Sequence, residues 1–219
     1  MSERVHEKLR VTEIYSSVQG ESSWAGYPCV FVRLTGCPLR CVWCDTAYAF
    51  TGGEEWTVGD IVRKVKSYGL PLVEVTGGEP LAQKNSTLLM DELLREGFQV
   101  LLETSGAFDL EAAPLGVHRI VDVKCPGSGE EKRNLWDNLS KLTGLDEVKF
   151  VIRDEADYDY ARDVVGRYGL VGTCGLLFSP VQGEMDPAKL AEWMKRDKLQ
   201  VRLNLQLHKV IWPEDTSGR

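Results

Sequence analysis

The chain has 219 residues, of which 43% are hydrophobic, and a formal net charge of −7. That length and composition predict an ordered protein with a substantial core, organised as a single domain over 1–219. An acidic chain without basic runs has no overall attraction for nucleic acid, and no apolar stretch reaches the roughly 18 residues that span a membrane. The charged amino terminus lacks a signal-peptide core. We therefore expect a cytoplasmic protein without nucleic-acid or membrane partners.

Short apolar segments alternate with amphipathic ones along the chain. The predicted strands are 30–35, 72–75, 98–103, 119–124, 148–152, 176–179 and 201–208. The predicted helices are 57–68, 86–96, one that runs from an Asp154 cap to Gly169, and one that begins at Pro187. This alternation indicates an α/β fold with a parallel sheet and helical crossovers. Because the chain is short for a complete eight-unit barrel, we expect a partial, TIM-like barrel of about six parallel strands.

Several polar segments follow the predicted strands, at the ends where such barrels place their chemistry. A cysteine loop follows the first strand, 76–80 (TGGEP) the second and 104–105 the third, while Lys124 ends the fourth. The last predicted strand has an alternating polar face, which indicates either a solvated edge or the wall of a ligand cavity. That face comprises Arg202, Asn204, Gln206 and His208.

Three of the six cysteines, Cys37, Cys41 and Cys44, fall within eight residues. Reducing conditions disfavour disulfides, so this clustering indicates a metal site. Iron–sulfur clusters usually bind four thiolates, and three would leave one iron of a [4Fe–4S] cluster open to another ligand. Structural zinc favours four ligands and paired CxxC elements, and no second pair occurs here. Zinc with a distant fourth ligand, and unligated thiols, remain alternatives.

The CxxxCxxC spacing and the 77–80 GGEP segment together resemble the radical S-adenosylmethionine (SAM) superfamily. The resemblance implies that SAM chelates the open iron, that a reduced cluster cleaves it, and that the 5′-deoxyadenosyl radical removes a substrate hydrogen. It also implies an electron donor such as flavodoxin or ferredoxin. The residues that correspond to SAM contacts are Trp43, Cys44, Asp45, Gly78, Glu79, Lys124, Ser179 and Gln182.

Further segments narrow the resemblance: 14–21 (IYSSVQGE), 26–28, 31–37, 44–46 (CDT) and 205–213. They are similar to the 7-carboxy-7-deazaguanine synthase family, which belongs to the deazapurine pathway to queuosine. The similarity implies conversion of 6-carboxy-5,6,7,8-tetrahydropterin to 7-carboxy-7-deazaguanine by radical ring contraction with loss of ammonia. It also implies a [4Fe–4S] cluster, SAM, Mg²⁺ and a homodimer.

The same similarity assigns a substrate site and a Mg²⁺ ligand, Thr46. The residues that correspond to substrate contacts are Val18, Gln19, Gly20, Glu21, Arg33, Thr76, His208 and Pro213. The Arg33 guanidinium suits the substrate carboxylate. A neutral hydroxyl is a poor Mg²⁺ ligand alone, so the substrate carboxylate would supply the negative charge.

Several of these assignments have an alternative. Arg33 could form a structural ion pair, 19–20 could be only a turn, Thr46 a helix cap, His208 a packing residue and Lys124 a surface lysine. The 122–129 segment (DVKCPGSG) departs from the serine–proline–lysine of some relatives, and a polar tail follows Pro213. The chain as a whole could also be a glycyl-radical-activating enzyme or a non-catalytic iron–sulfur module.

Overall fold

The computed structural model describes residues 3–213, so the first two residues and the polar tail 214–219 lie outside the described part. Its strands are β1 Lys8–Val18, β2 Pro28–Leu34, β3 Glu54–Thr57, β4 Leu72–Gly77, β5 Gln99–Thr104, β6 His118–Asp122, β7 Glu147–Ile152, β8 Gly175–Pro180 and β9 Arg202–Leu203. Its α-helices are α1 Val58–Lys66, α2 Ser86–Arg95, α3 Glu155–Arg167, α4 Pro187–Arg196 and α5 Leu207–Ile211. None of the described helices is long and apolar enough to cross a membrane.

All nine strands form one sheet, in the order β3-β1-β2-β4-β5-β6-β7-β8-β9. Along this order, every pair of neighbouring strands from β2 and β4 through to β9 is parallel. Strand β1 pairs antiparallel with both β2 and β3. The sheet is unclosed, with β3 and β9 at its edges, so the predicted partial barrel with six long parallel strands is confirmed. The antiparallel β1 and β3 were not predicted.

The helix signals in the sequence act as expected. Thr57 accepts a hydrogen bond from Asp60 N at 3.1 Å at the start of α1, and Asp154 accepts one from Asp157 N at 3.0 Å at the start of α3. Pro187 begins α4, where its missing N–H costs no helical hydrogen bond. Gly169 follows α3 with φ +61°, the left-handed conformation that favours glycine.

The predicted last strand, 201–208, is wrong over most of its length. Only β9, Arg202–Leu203, pairs with β8, and His208 lies on α5. Asn204 N still donates to Phe178 O of β8 at 2.9 Å, but three residues later Leu207 N donates to Gly20 O at 2.9 Å. The carboxyl-terminal segment therefore leaves the sheet after Asn204 and crosses the turn that follows β1.

The parallel strands separate two environments, because successive side chains point to opposite sides of a sheet. Val73 and Val75 of β4 belong to the large core between sheet and helices. On the inner side, Leu72 packs with a small apolar cluster, Cys29, Phe31, Leu101 and Ile120. Glu74, the next inward residue of β4, lines an internal cavity. The barrel interior therefore changes from apolar to charged toward the carboxyl ends of the strands.

Candidate functional site

A cavity of about 450 Å³ opens inside the barrel. It brings together all of the predicted site residues except Glu79 and Ser179. The predicted residues that line it are Val18, Gln19, Gly20, Glu21, Arg33, Cys37, Cys41, Trp43, Cys44, Asp45, Thr46, Thr76, Gly78, Lys124, Gln182, His208 and Pro213. Segments far apart in sequence thus converge on one space, while the contacts assigned to these residues remain predictions.

The cysteine loop is held in place by the glycine turn that follows β4. Gly78 N donates to Leu34 O at 3.0 Å, and Glu79 N donates to Gly36 O at 2.8 Å. A Cβ atom on Gly78 would overlap the Gly36 backbone and lie 2.9 Å from Cys37 Cβ. Gly77 has φ +141°, and a Cβ there would overlap Leu34. In the structure these two glycines let the glycine turn and the cysteine loop pack together.

The three clustered cysteines are half-buried free thiols that face the cavity, and Cys29, Cys125 and Cys174 are free as well. Within residues 3–213, no group of three or more His, Cys, Asp or Glu side chains is arranged to hold a single metal ion. Cluster thiolates bind different irons and need not converge on one point, so the triplet fits a [4Fe–4S] cluster. Burial raises the pKa of Cys41 to about 11 against the opposing charge of Lys124, so iron binding must release that proton.

Glu79, one of the predicted SAM contacts, does not line the cavity. It is fully buried, and its carboxylate accepts hydrogen bonds from Thr104 Oγ1 at 2.9 Å, Ser105 N at 2.7 Å and Leu81 N at 3.0 Å. These bonds tie the end of β4 to the end of β5. Ser179 is also buried behind the wall, where it accepts a bond from Asn204 Nδ2 at 2.9 Å.

Lys124 follows β6 and faces the cavity, so it is not a surface lysine. Its Nζ donates to Asp122 Oδ2 at 2.8 Å, and Asn134 bonds both its backbone N and its backbone O at 2.9 Å. Burial would lower the pKa of Lys124, but the charges of Asp122 and Cys41 outweigh it and raise that pKa. The side chain is therefore a permanent cation beside the cysteine loop.

Around Cys44, three side chains shape the rim of the cavity. The Arg153 guanidinium lies 5.8 Å from the centre of the Trp43 ring, and Lys209 Nζ pairs with Asp45 Oδ2 at 2.7 Å. Thr46 precedes a 3₁₀ turn but makes no side-chain cap bond. Its Oγ1 lies 3.7 Å from Cys44 Sγ and faces the cavity. The capping alternative is therefore not realised.

Arg33 on β2 combines its two predicted possibilities, since it forms an ion pair and also faces the cavity. Its Nε contacts Glu13 Oε1 at 2.7 Å, and its Nη2 donates to Tyr15 Oη at 2.7 Å. Tyr48 Oη also donates to Glu13 Oε1 at 2.7 Å. The guanidinium is thus fixed in one orientation, as bidentate recognition of an anion requires.

The inner end of the cavity, which is lined by Glu21, Glu74, Glu103 and Lys149, is charged. Lys149 Nζ on β7 donates to Glu21 Oε2 at 2.8 Å and also to Glu103. Burial would raise the pKa of Glu21, but Lys149 and Gln206 lower it to about 2. Burial raises the pKa of Glu103 to about 7, against the attraction of Lys149. Glu74 is buried as well, and its pKa is raised well above the ordinary value, mainly by burial.

The 18–21 turn is more than a connection between β1 and β2. The Gln19 side chain donates to Glu74 and accepts a bond from Glu21 N at 2.6 Å. His208 packs against Gly20, where an added Cβ would lie 3.1 Å from the His208 backbone N and overlap its ring. His208 therefore packs and also faces the cavity, together with Pro213.

Sequence reasoning missed six charged residues that line the cavity: Glu74, Glu103, Asp122 and Lys149 on the parallel strands, and Glu184 and Lys209 outside them. Glu74 and Glu103 are the only charged residues of β4 and β5, whereas β6 carries Arg119 beside Asp122 and β7 carries Glu147 beside Lys149. Strands of a parallel sheet are covered on both faces, so an isolated charge within one indicates a polar interior site. That signal was present in the printed sequence.

Comparison with known proteins gives a consistent result. A model of the Radical SAM superfamily matches residues 31–119. A 7-carboxy-7-deazaguanine synthase of Koribacter versatilis is 45% identical, over 96% of this chain and 100% of that protein. One of Chlorobaculum tepidum is 44% identical, over 96% and 97%. The solved structure of QueE from Escherichia coli matches with a TM-score of 0.77 at 22% identity, over 94% of this chain and 98% of that chain.

Proposed function

Because the chain belongs to the 7-carboxy-7-deazaguanine synthase family of radical SAM enzymes, we propose that it converts 6-carboxy-5,6,7,8-tetrahydropterin to 7-carboxy-7-deazaguanine. Ammonia leaves as the ring contracts. The observation that carries the proposal is the single cavity, which joins the cysteine triplet and the glycine turn to Gln19, Glu21 and Arg33. A radical formed at one end would act on a substrate held at the other.

The cysteine end of the cavity suits a cluster and SAM. Cys37, Cys41 and Cys44 would hold the cluster, and Lys124 supplies a cation for the SAM carboxylate. When bound, the cluster and SAM supply the radical that takes a hydrogen atom from the substrate. Trp43 and Gln182 also line the cavity, and we expect adenosine to be held beside them.

The inner end suits a donor-rich heterocycle with one carboxylate. Glu21 keeps its negative charge and can accept hydrogen bonds from a pterin amide and amine edge. Arg33, fixed by Glu13 and Tyr15, offers a cation for the substrate carboxylate. Thr76 and His208 complete the wall.

A Mg²⁺ ion fits the rim of the cavity only together with substrate. Thr46 offers a hydroxyl with no capping role, and the neighbouring Asp45 is already paired with Lys209. Mg²⁺ is a hard cation that needs anionic oxygen, which the substrate carboxylate would supply. We further propose that a flavodoxin- or ferredoxin-like donor reduces the enzyme and that two chains form a homodimer.

Anaerobic incubation of the iron-reconstituted protein with SAM, dithionite, Mg²⁺ and the tetrahydropterin tests this function. We expect 7-carboxy-7-deazaguanine and ammonia in equal amounts. A glycyl-radical-activating enzyme would form 5′-deoxyadenosine but no deazapurine, and a non-catalytic module would form neither. Either result would contradict the proposal.

A further inference from the structure

Two inward-facing charged residues of β7, Glu147 and Lys149, are buried and lie two positions apart. Lys149 binds the Glu21 carboxylate at 2.8 Å. The Glu147 carboxylate accepts the backbone N–H of Ser23 at 3.0 and 3.2 Å. Glu21 and Ser23 are also two positions apart, so β7 holds the loop after β1 at two successive points.

The loop segment between these points adopts an unfavourable conformation. Ser22 has φ +63°, which residues other than glycine rarely adopt, and it is 1% exposed. Its Oγ accepts a hydrogen bond from Trp24 N at 3.1 Å. Such a conformation persists only where the surroundings impose it. The two contacts from β7 belong to these surroundings, together with the bond from Gln206 Nε2 to Glu21 Oε1 at 2.8 Å and the bond from Leu207 N to Gly20 O at 2.9 Å.

Behind Glu147 lies His118, the first residue of β6, which is also buried. His118 Nε2 lies 3.5 Å from Glu147 Oε2, and the Trp24 ring meets the His118 ring edge-on at 6.2 Å. Burial would raise the pKa of Glu147, but His118 and Ser23 outweigh it and lower that pKa. Glu147 is thus a buried carboxylate whose described partners are the loop and one histidine.

We propose that Glu147, supported by His118, is a positioning residue that fixes Glu21 for productive substrate binding. Neither Glu147 nor His118 lines the cavity, so the effect passes through the Ser23 backbone. The inference rests on the proposed function and deepens it. A loosened loop would leave SAM cleavage intact while the radical loses its correctly placed target, so cleavage would become uncoupled from product formation.

Three variants test the inference in the reconstituted enzyme. Glu147→Ala removes the acceptor, and we expect about a tenfold higher KM for the tetrahydropterin, consistent with loss of one charge-assisted hydrogen bond. We also expect a higher ratio of 5′-deoxyadenosine to product. Glu147→Gln keeps an oxygen acceptor, so its KM and its ratio of 5′-deoxyadenosine to product should lie close to those of the unaltered protein. Asp146→Ala is the matched control, since Asp146 is buried but binds Arg119 and Thr143 outside the cavity.

Hydrogen–deuterium exchange of residues 19–27 measures the contact between Glu147 and the Ser23 amide without catalytic turnover. We expect the Ser23 amide to lose protection in Glu147→Ala and to keep it in Glu147→Gln and Asp146→Ala. Unchanged exchange and coupling in Glu147→Ala would overturn the inference, and so would an equal loss of coupling in Asp146→Ala. If Glu147→Ala does not fold, Glu147→Asp keeps the charge with a shorter reach, and the same two readouts apply to it. Absence of product in the unaltered protein would contradict the proposed function alone.

Discussion

The two ends of the cavity are held by different forces. At the cysteine end, the loop is fixed by backbone hydrogen bonds and by the close approach of Gly78 to Gly36. At the inner end, Glu21 is fixed by the buried Lys149 ammonium and by the Gln206 amide, each at 2.8 Å. One end depends on backbone shape, and the other depends on electrostatic balance.

This difference has consequences for substitution. A close contact between two backbone segments is disrupted when a side-chain atom is added between them, whatever its polarity, because packed interiors tolerate little extra volume. A network of buried charges is destabilised when one partner is removed, because another buried charge is then left unpaired. Changes at the cysteine end should therefore affect cluster and SAM chemistry, and changes at the inner end should affect the use of the radical.

The largest effect is expected for Cys41→Ala. Loss of one thiolate leaves two protein ligands for the cluster, so we expect no stable iron binding and no 5′-deoxyadenosine. Iron analysis and chromatography after dithionite reduction would measure both. Cys174→Ala, which changes a cysteine outside the cavity, should keep the iron content of the unaltered protein. Full 5′-deoxyadenosine formation by Cys41→Ala would refute the cluster assignment.

Gly78→Ala should be the next most severe change. The new Cβ would overlap Gly36 and lie 2.9 Å from Cys37 Cβ, which we expect to cost about 1–3 kcal/mol of stability and much of the iron content. Denaturant unfolding and iron analysis would measure these effects. Gly166→Ala is the matched control, because Gly166 lies on α3 and an added Cβ would meet no atom within 4 Å apart from the backbone of that helix. This variant should gain about 0.5–1 kcal/mol of stability. Normal iron retention by Gly78→Ala would show that the loop can move.

Arg33→Ala tests the division between the two ends. We expect product formation to fall by about 10- to 100-fold, because a charge-assisted contact with substrate is lost. 5′-Deoxyadenosine formation should fall much less. Arg119→Ala removes another part-buried arginine, one paired with Asp146, and should leave the ratio of the two products unchanged. Equal loss of both activities in Arg33→Ala would place Arg33 in SAM chemistry instead.

The same division explains what the sequence predicted. The cysteine end was predictable, because contiguous motifs follow strands whose ends meet at one edge. At the inner end the resemblance predicted Gln19, Glu21 and Arg33, but Glu74, Glu103 and Lys149 were missed, because they are single residues that only strand register brings together. The 201–208 alternation predicted a strand, but after Asn204 the chain bonds to Gly20 through Leu207 N and leaves the sheet. Strand β1 was not predicted, although Leu9 and Val11 alternate with Lys8 and Arg10 and are buried in the structure.

The pH dependence of stability reports on the inner end of the cavity. The pKa of Glu103 is raised to about 7, so the folded state keeps a proton that the unfolded chain loses near its ordinary pKa of about 4.5. Stability should therefore fall as pH rises from about 4.5 to 7, by up to about 3 kcal/mol from this group. Anaerobic denaturation of the reconstituted protein at several pH values measures the slope. Glu103→Gln should flatten it in part, because Glu74 contributes in the same direction, whereas the exposed Glu55→Gln should not. An unchanged slope in Glu103→Gln would show that Lys149 keeps Glu103 ionised.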